Sequence, residues 1–302
     1  MKIFFDNVNF SSQSGPNSFA RKLKDELFSG GHEVFDSIHG QSDLPDVQLS
    51  FIASGLKIAP LIQRLDGIYF NLDQDFNNLN APIEATYLNS DAVIFQSDFN
   101  KALTSHYFGV KENSFVIRNG TNISAIQSIN PMESGILDNF ESVWCCASSW
   151  RPHKRLDQNI EYFLSLAPEH ACLVIAGGDP NVHISHPRIF YAGGLSWNAL
   201  VSLYRRSSHF IHLAWLDHCP NVVIDARAAG CHIVCSSAGG TREIAGTNST
   251  IIVEDDWDFT PVKLYNPPAM DFSKTISCKD ESEINICETA KSYLDVFNGV
   301  AK

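Results

Sequence analysis

The stretch Ala214-Trp-Leu-Asp-His-Cys-Pro-Asn-Val-Val-Ile-Asp-Ala-Arg-Ala-Ala-Gly-Cys-His-Ile-Val-Cys-Ser-Ser-Ala-Gly-Gly-Thr-Arg-Glu-Ile-Ala-Gly246 reads as loop, helix, strand, glycine turn and helix. Asp217 and Asp225 bracket the helix start. Pro220 falls where the first turn of a helix tolerates proline, because the missing N–H has no intrahelical partner there. The spacing predicts free amides at Asn221, Val222 and Val223, donors at a positive helix end that suit a phosphate. Asn221 and Asp225 lie four apart and share a face. Gly230 ends the helix, the apolar run His232 to Ser236 is a buried strand, and Gly239-Gly240 is a turn that lets backbone approach a ligand. An ordinary αβ unit with two solvated aspartates fits the same letters, so the surrounding sequence has to decide.

Working outward, Ala147-Ser-Ser-Trp-Arg-Pro-His-Lys-Arg-Leu-Asp157 follows one predicted strand, Ser142 to Ala147, and precedes a predicted helix, Leu156 to Ala167. It therefore lies at the carboxyl edge of a sheet, where open α/β proteins bind ligands. Arg151, Lys154 and Arg155 put three cations into an acidic chain, suited to the charge that grows on a departing diphosphate; a solvated basic turn is the plain alternative. Further strands are expected at Ala171 to Ala176, Arg188 to Tyr191 and Phe210 to Leu213, with a helix over Ser196 to Ser207. Gly193-Gly194 permits close backbone approach after one of these strands.

The first half alternates in the same way. Strands are expected at Lys2 to Phe5, Glu33 to Phe35, Val47 to Ala53, Pro60 to Leu65, Asp91 to Gln96 and Ser114 to Ile117. Helices are expected at Phe19 to Ser29, with Phe19, Leu23 and Leu27 as the apolar stripe, and at Lys101 to Phe108; Asp6 to Asn17 is expected to be loop. Ser124 to Asn139 reads as a linker. The tail is irregular over Asp255 to Phe272 and helical over Glu281 to Phe297. Strands separated by helices imply α/β architecture, two Rossmann-like doubly wound domains facing across a cleft. The expected division is 1–125, 140–278 and a C-terminal helical segment, 279–302.

The chain has 302 residues, 44 % of them hydrophobic, and a formal net charge of −12. That acidity argues against a nucleic-acid partner and against electrostatic docking on an anionic membrane. The eight cysteines form no Cys-x-x-Cys pair, the eleven histidines show no metal-ligand spacing, and no apolar run is long enough to span a bilayer. Buried reduced thiols and the absence of a signal peptide point to a cytoplasmic protein. Asp73 and Asp75 read as a solvated loop, and no metal site is expected.

The Ala214–Gly246 stretch resembles the donor-binding signature of retaining, nucleotide-sugar-dependent glycosyltransferases of GT-B fold, the large fourth family (group 1 type). That signature has an acidic residue, seven intervening residues, a second acidic residue on a helix, then small residues ending in glycine. Asp217 and Asp225 have this spacing, with aspartate where the family usually has glutamate. Ala-Gly-Gly-Thr-Arg-Glu243 matches the family's glycine pair followed by glutamate. The resemblance implies transfer of a sugar from a nucleoside-diphosphate sugar, a co-substrate, with no resident cofactor and no metal. The acceptor is a sugar, glycan or lipid of unknown identity. No strong membrane association is expected.

By the same resemblance, Lys154 is the lysine for the donor diphosphate. Ser149 stands at the family's arginine position, and Arg151 or Arg155 takes over its charge. Gly193 and Gly194 lie against the nucleotide base; His218, Pro220, Asn221 and Val222 line the donor; Asp225 binds the ribose diol and Asp217 the sugar. In the N-terminal half, Gly15 and Asn17 match the family's glycine loop, with one glycine rather than two. Asp66 takes the place of a catalytic acid, though an Arg64–Asp66 pair on one strand face explains both charges equally well. Asn119, in an Asn-Gly turn, would line the cleft. A GT-B sugar epimerase and a non-catalytic nucleotide-sugar-binding protein of the same fold are the alternatives.

Overall fold

A computed structural model describes residues 1–12, 14–38, 44–180, 182–279 and 281–301; Gln13, inside the expected first loop, lies outside the described residues. The chain divides into two compact units. The first comprises Met1–Asn122, Phe259–Val262 and Glu283–Lys302, and the second Ile123–Asp258 and Lys263–Ser282.

The first unit contains β1 (Lys2–Asp6), α1 (Gly15–Ser29), β2 (Glu33–Phe35), β3 (Val47–Phe51), β4 (Leu61–Leu65), α2 (Phe76–Asn89), β5 (Ala92–Phe95), α3 (Asp98–Phe108) and β6 (Ser114–Val116). Its six strands run in the order β2-β1-β3-β4-β5-β6, all parallel. The second unit contains α4 (Ile123–Ser128), β7 (Ser142–Ala147), α5 (Leu156–Leu166), β8 (Ala171–Ala176), β9 (Ile189–Gly193), α6 (Trp197–Arg206), β10 (His209–His212), α7 (Asn221–Ala228), β11 (His232–Ser236), β12 (Ser249–Ile252) and β13 (Thr275–Ile276). The order is β13-β12-β11-β10-β7-β8-β9, and only the β12–β13 pair is antiparallel. The last helix, α8 (Ile286–Val300), belongs to the first unit.

Runs buried on both faces explain the parallel sheets: every residue of β3, β4, β5 and β8 is buried. Phe19, Leu23 and Leu27 of α1 pack with Ile3, Phe5, Leu49 and, from α8, Tyr293 and Phe297. Burying each such side chain contributes roughly 1.5–3 kcal/mol, so a charge at Leu23 would break this layer. The second core gathers Trp144, Ile160, Phe163, Leu173 and Ile211.

Three expectations are corrected, and one helix stands where no element was expected. The Asp6–Asn17 loop is too long, because α1 starts at Gly15 with Pro16 in its first turn. Residues 76–89, left without an element, form α2, capped by Asp75, whose carboxylate accepts from the Asn78 amide at 3.2 Å. The linker contains a short helix, α4. The terminal helix starts at Ile286, capped by Asn285, rather than at Glu281. Among the described residues no helix is long and apolar enough to cross a membrane.

Candidate functional site

In the second unit the chain winds outward from β7 through β8 to β9, then returns to lay β10 on the other side of β7. A doubly wound sheet opens its crevice at such a reversal, beyond the carboxyl ends of the two strands. The loops leaving β7 and β10 therefore share one place, and their charged residues meet there. Lys154 Nζ donates to Asp217 Oδ2 at 2.5 Å, with the two side chains 18 % and 15 % exposed. His212 Nε2 lies 2.9 Å from the same oxygen, and the His218 amide donates to Oδ1 at 3.0 Å. Burial alone would raise the Asp217 pKa, but Lys154 and His212 outweigh it and hold the carboxyl well below its usual range. Burial pulls the His218 imidazole down to about 4 and the His153 imidazole down to about 3.

Backbone geometry fixes Asp217 as firmly as its partners do. Leu216 before it is left-handed, at φ 57°. The Asp217 carbonyl accepts from the Gly240 amide at 2.7 Å. A Cβ on Gly239 (φ 98°) would stand 2.6 Å from that carbonyl oxygen. Gly239 thus admits the chain's own backbone. Gly177, beyond β8, is needed for the same reason: a Cβ there would collide with the Ser148 carbonyl and crowd the Trp150 indole. That packing shapes the loop carrying Ser149 and Arg151, both exposed.

Arg155 is corrected outright. Its side chain is fully buried and forks onto Glu254, at 2.8 and 2.6 Å, with further bonds to the carbonyls of Leu213 and Pro268. A guanidinium so engaged braces the loop from within and does not face a ligand. Arg151 remains as the cation beside Lys154.

Pro220 is the N-cap of α7, which opens at Asn221-Val222. The Val223 amide donates to the Pro220 carbonyl at 3.1 Å, so it is not one of three free donors as expected. At the far end Ala229 takes the cap position and Gly230, φ 99°, follows it. Asp225 is buried, and its Oδ2 accepts from the Trp197 indole at 2.9 Å. Gly193 and Gly194 are exposed just ahead of α6, in open space.

The first unit holds a separate polar cluster. Arg64, fully buried, pairs with Asp66 and donates to Asn119 Oδ1 at 2.7 Å; Asn119 donates to Gln96 Oε1 at 3.0 Å; Gln96 donates to Asp66 Oδ1 at 2.6 Å. The Arg64 guanidinium lies 4.3 Å from the Phe19 ring centroid and also bonds Tyr293 Oη at 3.2 Å. Burial raises the Asp66 pKa against the opposing pull of Arg64. Asp66 Oδ2 is buried without a hydrogen-bond partner. The pairing reading accounts for Arg64 and Asn119 and leaves one buried Asp66 oxygen without a partner. Gly15 and Asn17 sit in the first turn of α1, where Asn17 accepts from the Asn9 amide at 2.8 Å.

Trp197, Glu254 and Gly177 were missed as supports of the site. Only Gly177 had a local signal, a glycine directly after a buried strand. Among the described residues no group of three or more His, Cys, Asp or Glu side chains could hold a metal ion.

Residues 141–260 match the family model described as Glycosyl transferases group 1. The whole fold is similar to solved GT-B glycosyltransferases at low identity. AviGT4, a glycosyltransferase involved in avilamycin A biosynthesis, shares 12 % identity at a TM-score of 0.64, over 99 % of this chain and 98 % of that one. HepE from Anabaena, solved with UDP and glucose, shares 14 % at 0.64, over 99 % and 100 %. Sucrose-phosphate synthase from Thermosynechococcus elongatus shares 11 % at 0.65, over 99 % and 91 %. No curated protein sequence matches the chain.

Proposed function

We propose, for a chain whose residues 141–260 match the group 1 glycosyl transferase family model, that it transfers a sugar from a nucleoside-diphosphate sugar to an acceptor hydroxyl with retention of anomeric configuration. The single observation that carries this reading is the meeting of Lys154 and Asp217 at the sheet reversal, at 2.5 Å, beside the start of α7. Lys154 has three N–H donors, so it can keep Asp217 while giving a proton contact to a diphosphate oxygen. Arg151 adds charge, and α7 presents its positive end.

In this reading the acceptor oxygen attacks the anomeric carbon on the face from which the diphosphate leaves; the bond to the diphosphate oxygen breaks and the acceptor's proton passes to that departing oxygen. Positive charge builds on the sugar, and Asp217, held ionised by its partners, faces that charge. Asp225 binds the ribose diol from α7. Neither carboxylate is a covalent nucleophile. Leaving-group charge is met by cations and amides, so no divalent metal is required. HepE of Anabaena was solved with UDP-glucose, and a uridine donor is the first to try here.

The test is a panel of nucleoside-diphosphate sugars offered with simple glycoside acceptors, with released nucleoside diphosphate and product anomer as readouts. Turnover with retention supports the reading, and turnover that persists in excess EDTA supports the metal-free step. Tight nucleotide binding without turnover would instead make the chain a nucleotide-sugar binder.

A further inference from the structure

Asp217 Oδ2 accepts from two side chains of different character. Lys154 reaches it on a flexible four-carbon stem from the end of a single 3-10 turn, Pro152–Lys154, whereas His212 is the last residue of β10 and only 4 % exposed. The His212 ring lies nearly parallel to that of Phe210, its neighbour on the same strand face, at 6.2 Å and 12°. A carboxylate cannot donate, so the contact needs a proton on Nε2. Either the neutral Nε2–H tautomer or an imidazolium would supply it.

The groups that act on this ring are Asp217, Lys154 and His153. Burial, helped by the cation of Lys154, outweighs the attraction of Asp217 and lowers the His212 pKa, so the ring stays neutral. A second positive charge here would offset the negative charge that Asp217 is to present to the sugar. The backbone at Asp217 is already pinned through Gly240 and Oδ1 is held by the His218 amide, so Oδ2 is the oxygen left to the side chains.

We infer that His212 is a positioning residue, a neutral Nε2–H donor on a rigid strand that, with the His218 amide on Oδ1, fixes the rotation of the Asp217 carboxylate while Lys154 is shared with the diphosphate. The inference rests on the proposed reading in which Asp217 faces the donor sugar. It goes beyond the acid pair and the lysine, because His212 acts through Asp217.

Three variants and one spectrum test it. Glutamine places its amide where Nε2 stands, so His212→Gln keeps the donor; His212→Asn and His212→Phe lose it. With a confirmed donor, His212→Asn and His212→Phe should lower kcat by about 10- to 100-fold, the scale of a slightly misplaced reacting group. Donor KM should hold, and His212→Gln should recover most of the loss. If phenylalanine prevents folding, seen by circular dichroism, the asparagine variant carries the comparison. Nitrogen-15 spectra of histidine-labelled protein at pH 7, assigned by His212→Gln, should show Nε2 protonated and Nδ1 bare. An imidazolium, an Nδ1–H tautomer, or His212→Gln no better than His212→Asn in an active enzyme would overturn the inference alone. A wild-type chain that turns over no donor would overturn the functional reading and this inference with it.

Discussion

Asp217 and Asp225 frame one motif, yet their surroundings assign them different work. Asp217 is held by Lys154, His212 and the His218 amide, while Asp225 is held by the Trp197 indole on a neighbouring helix. Steady-state kinetics should separate them. Asp225→Asn should chiefly raise donor KM, whereas Asp217→Asn should lower kcat more than it raises KM, because its partner charge appears only in the transition state. Glutamate at 217 should be tolerated better than alanine, since it restores the residue usual in similar enzymes. Lys154→Ala should remove about 2–4 kcal/mol of transition-state stabilisation, read as a fall in kcat/KM. These residues were legible in the sequence because each lies within a short motif whose spacing carries the chemistry. Their partners were not: Arg155 meets Glu254 across 99 residues and Trp197 meets Asp225 across 28. No local pattern distinguishes an arginine that faces a phosphate from one that braces a loop.

At the scale of elements, strands were readable wherever an apolar run was buried on both faces, as in β5 and β8. The helix α2 was not, because its buried face mixes Asn80 and Thr86 with Ile83 and Tyr87 and it carries Pro82, which hides the helical period. The Arg155–Glu254 pair is one of the braces of the loop that carries Lys154. Arg155→Met should therefore cost about 3–5 kcal/mol by leaving a buried carboxylate unpaired, measured by denaturant unfolding, with activity lost alongside. The amino ends of β7, β10 and β11 bring Trp144, His209 and His232 together, the first two rings stacked at 4.0 Å. Burial, and then His232, lower the His209 pKa from 6.5 to about 4. Between these values the folded ring is neutral while the unfolded one binds a proton, so its contribution to stability is complete above pH 6.5 and fades as pH falls toward 4. Thermal midpoints taken from pH 7.5 to 4.5 should decline over that window, and His209→Phe should decline less steeply.

For the molecule as a whole, the chain visits the first unit three times, and α8 brings it the core residues Tyr293, Val296 and Phe297. Tyr293 also receives the Arg64 Nε bond at 3.2 Å, joining the last helix to the buried Arg64–Asp66–Gln96–Asn119 cluster. Tyr293→Phe should cost about 1.5–3 kcal/mol, the range for a hydrogen bond to a charged group, and calorimetry should place the loss in the transition of the first unit. This arrangement makes the order of synthesis matter. Residues 1–122 leave the ribosome first, but the helix that completes their core comes more than 160 residues later. At 5–20 residues per second that is a wait of about 10–30 s. During that interval the apolar sides of α1 and β1 lack their cover and are open to chaperones, while the second unit, all but the last of whose strands lie between residues 142 and 252, can already close around its own core. The half that is made first is the half that is finished last.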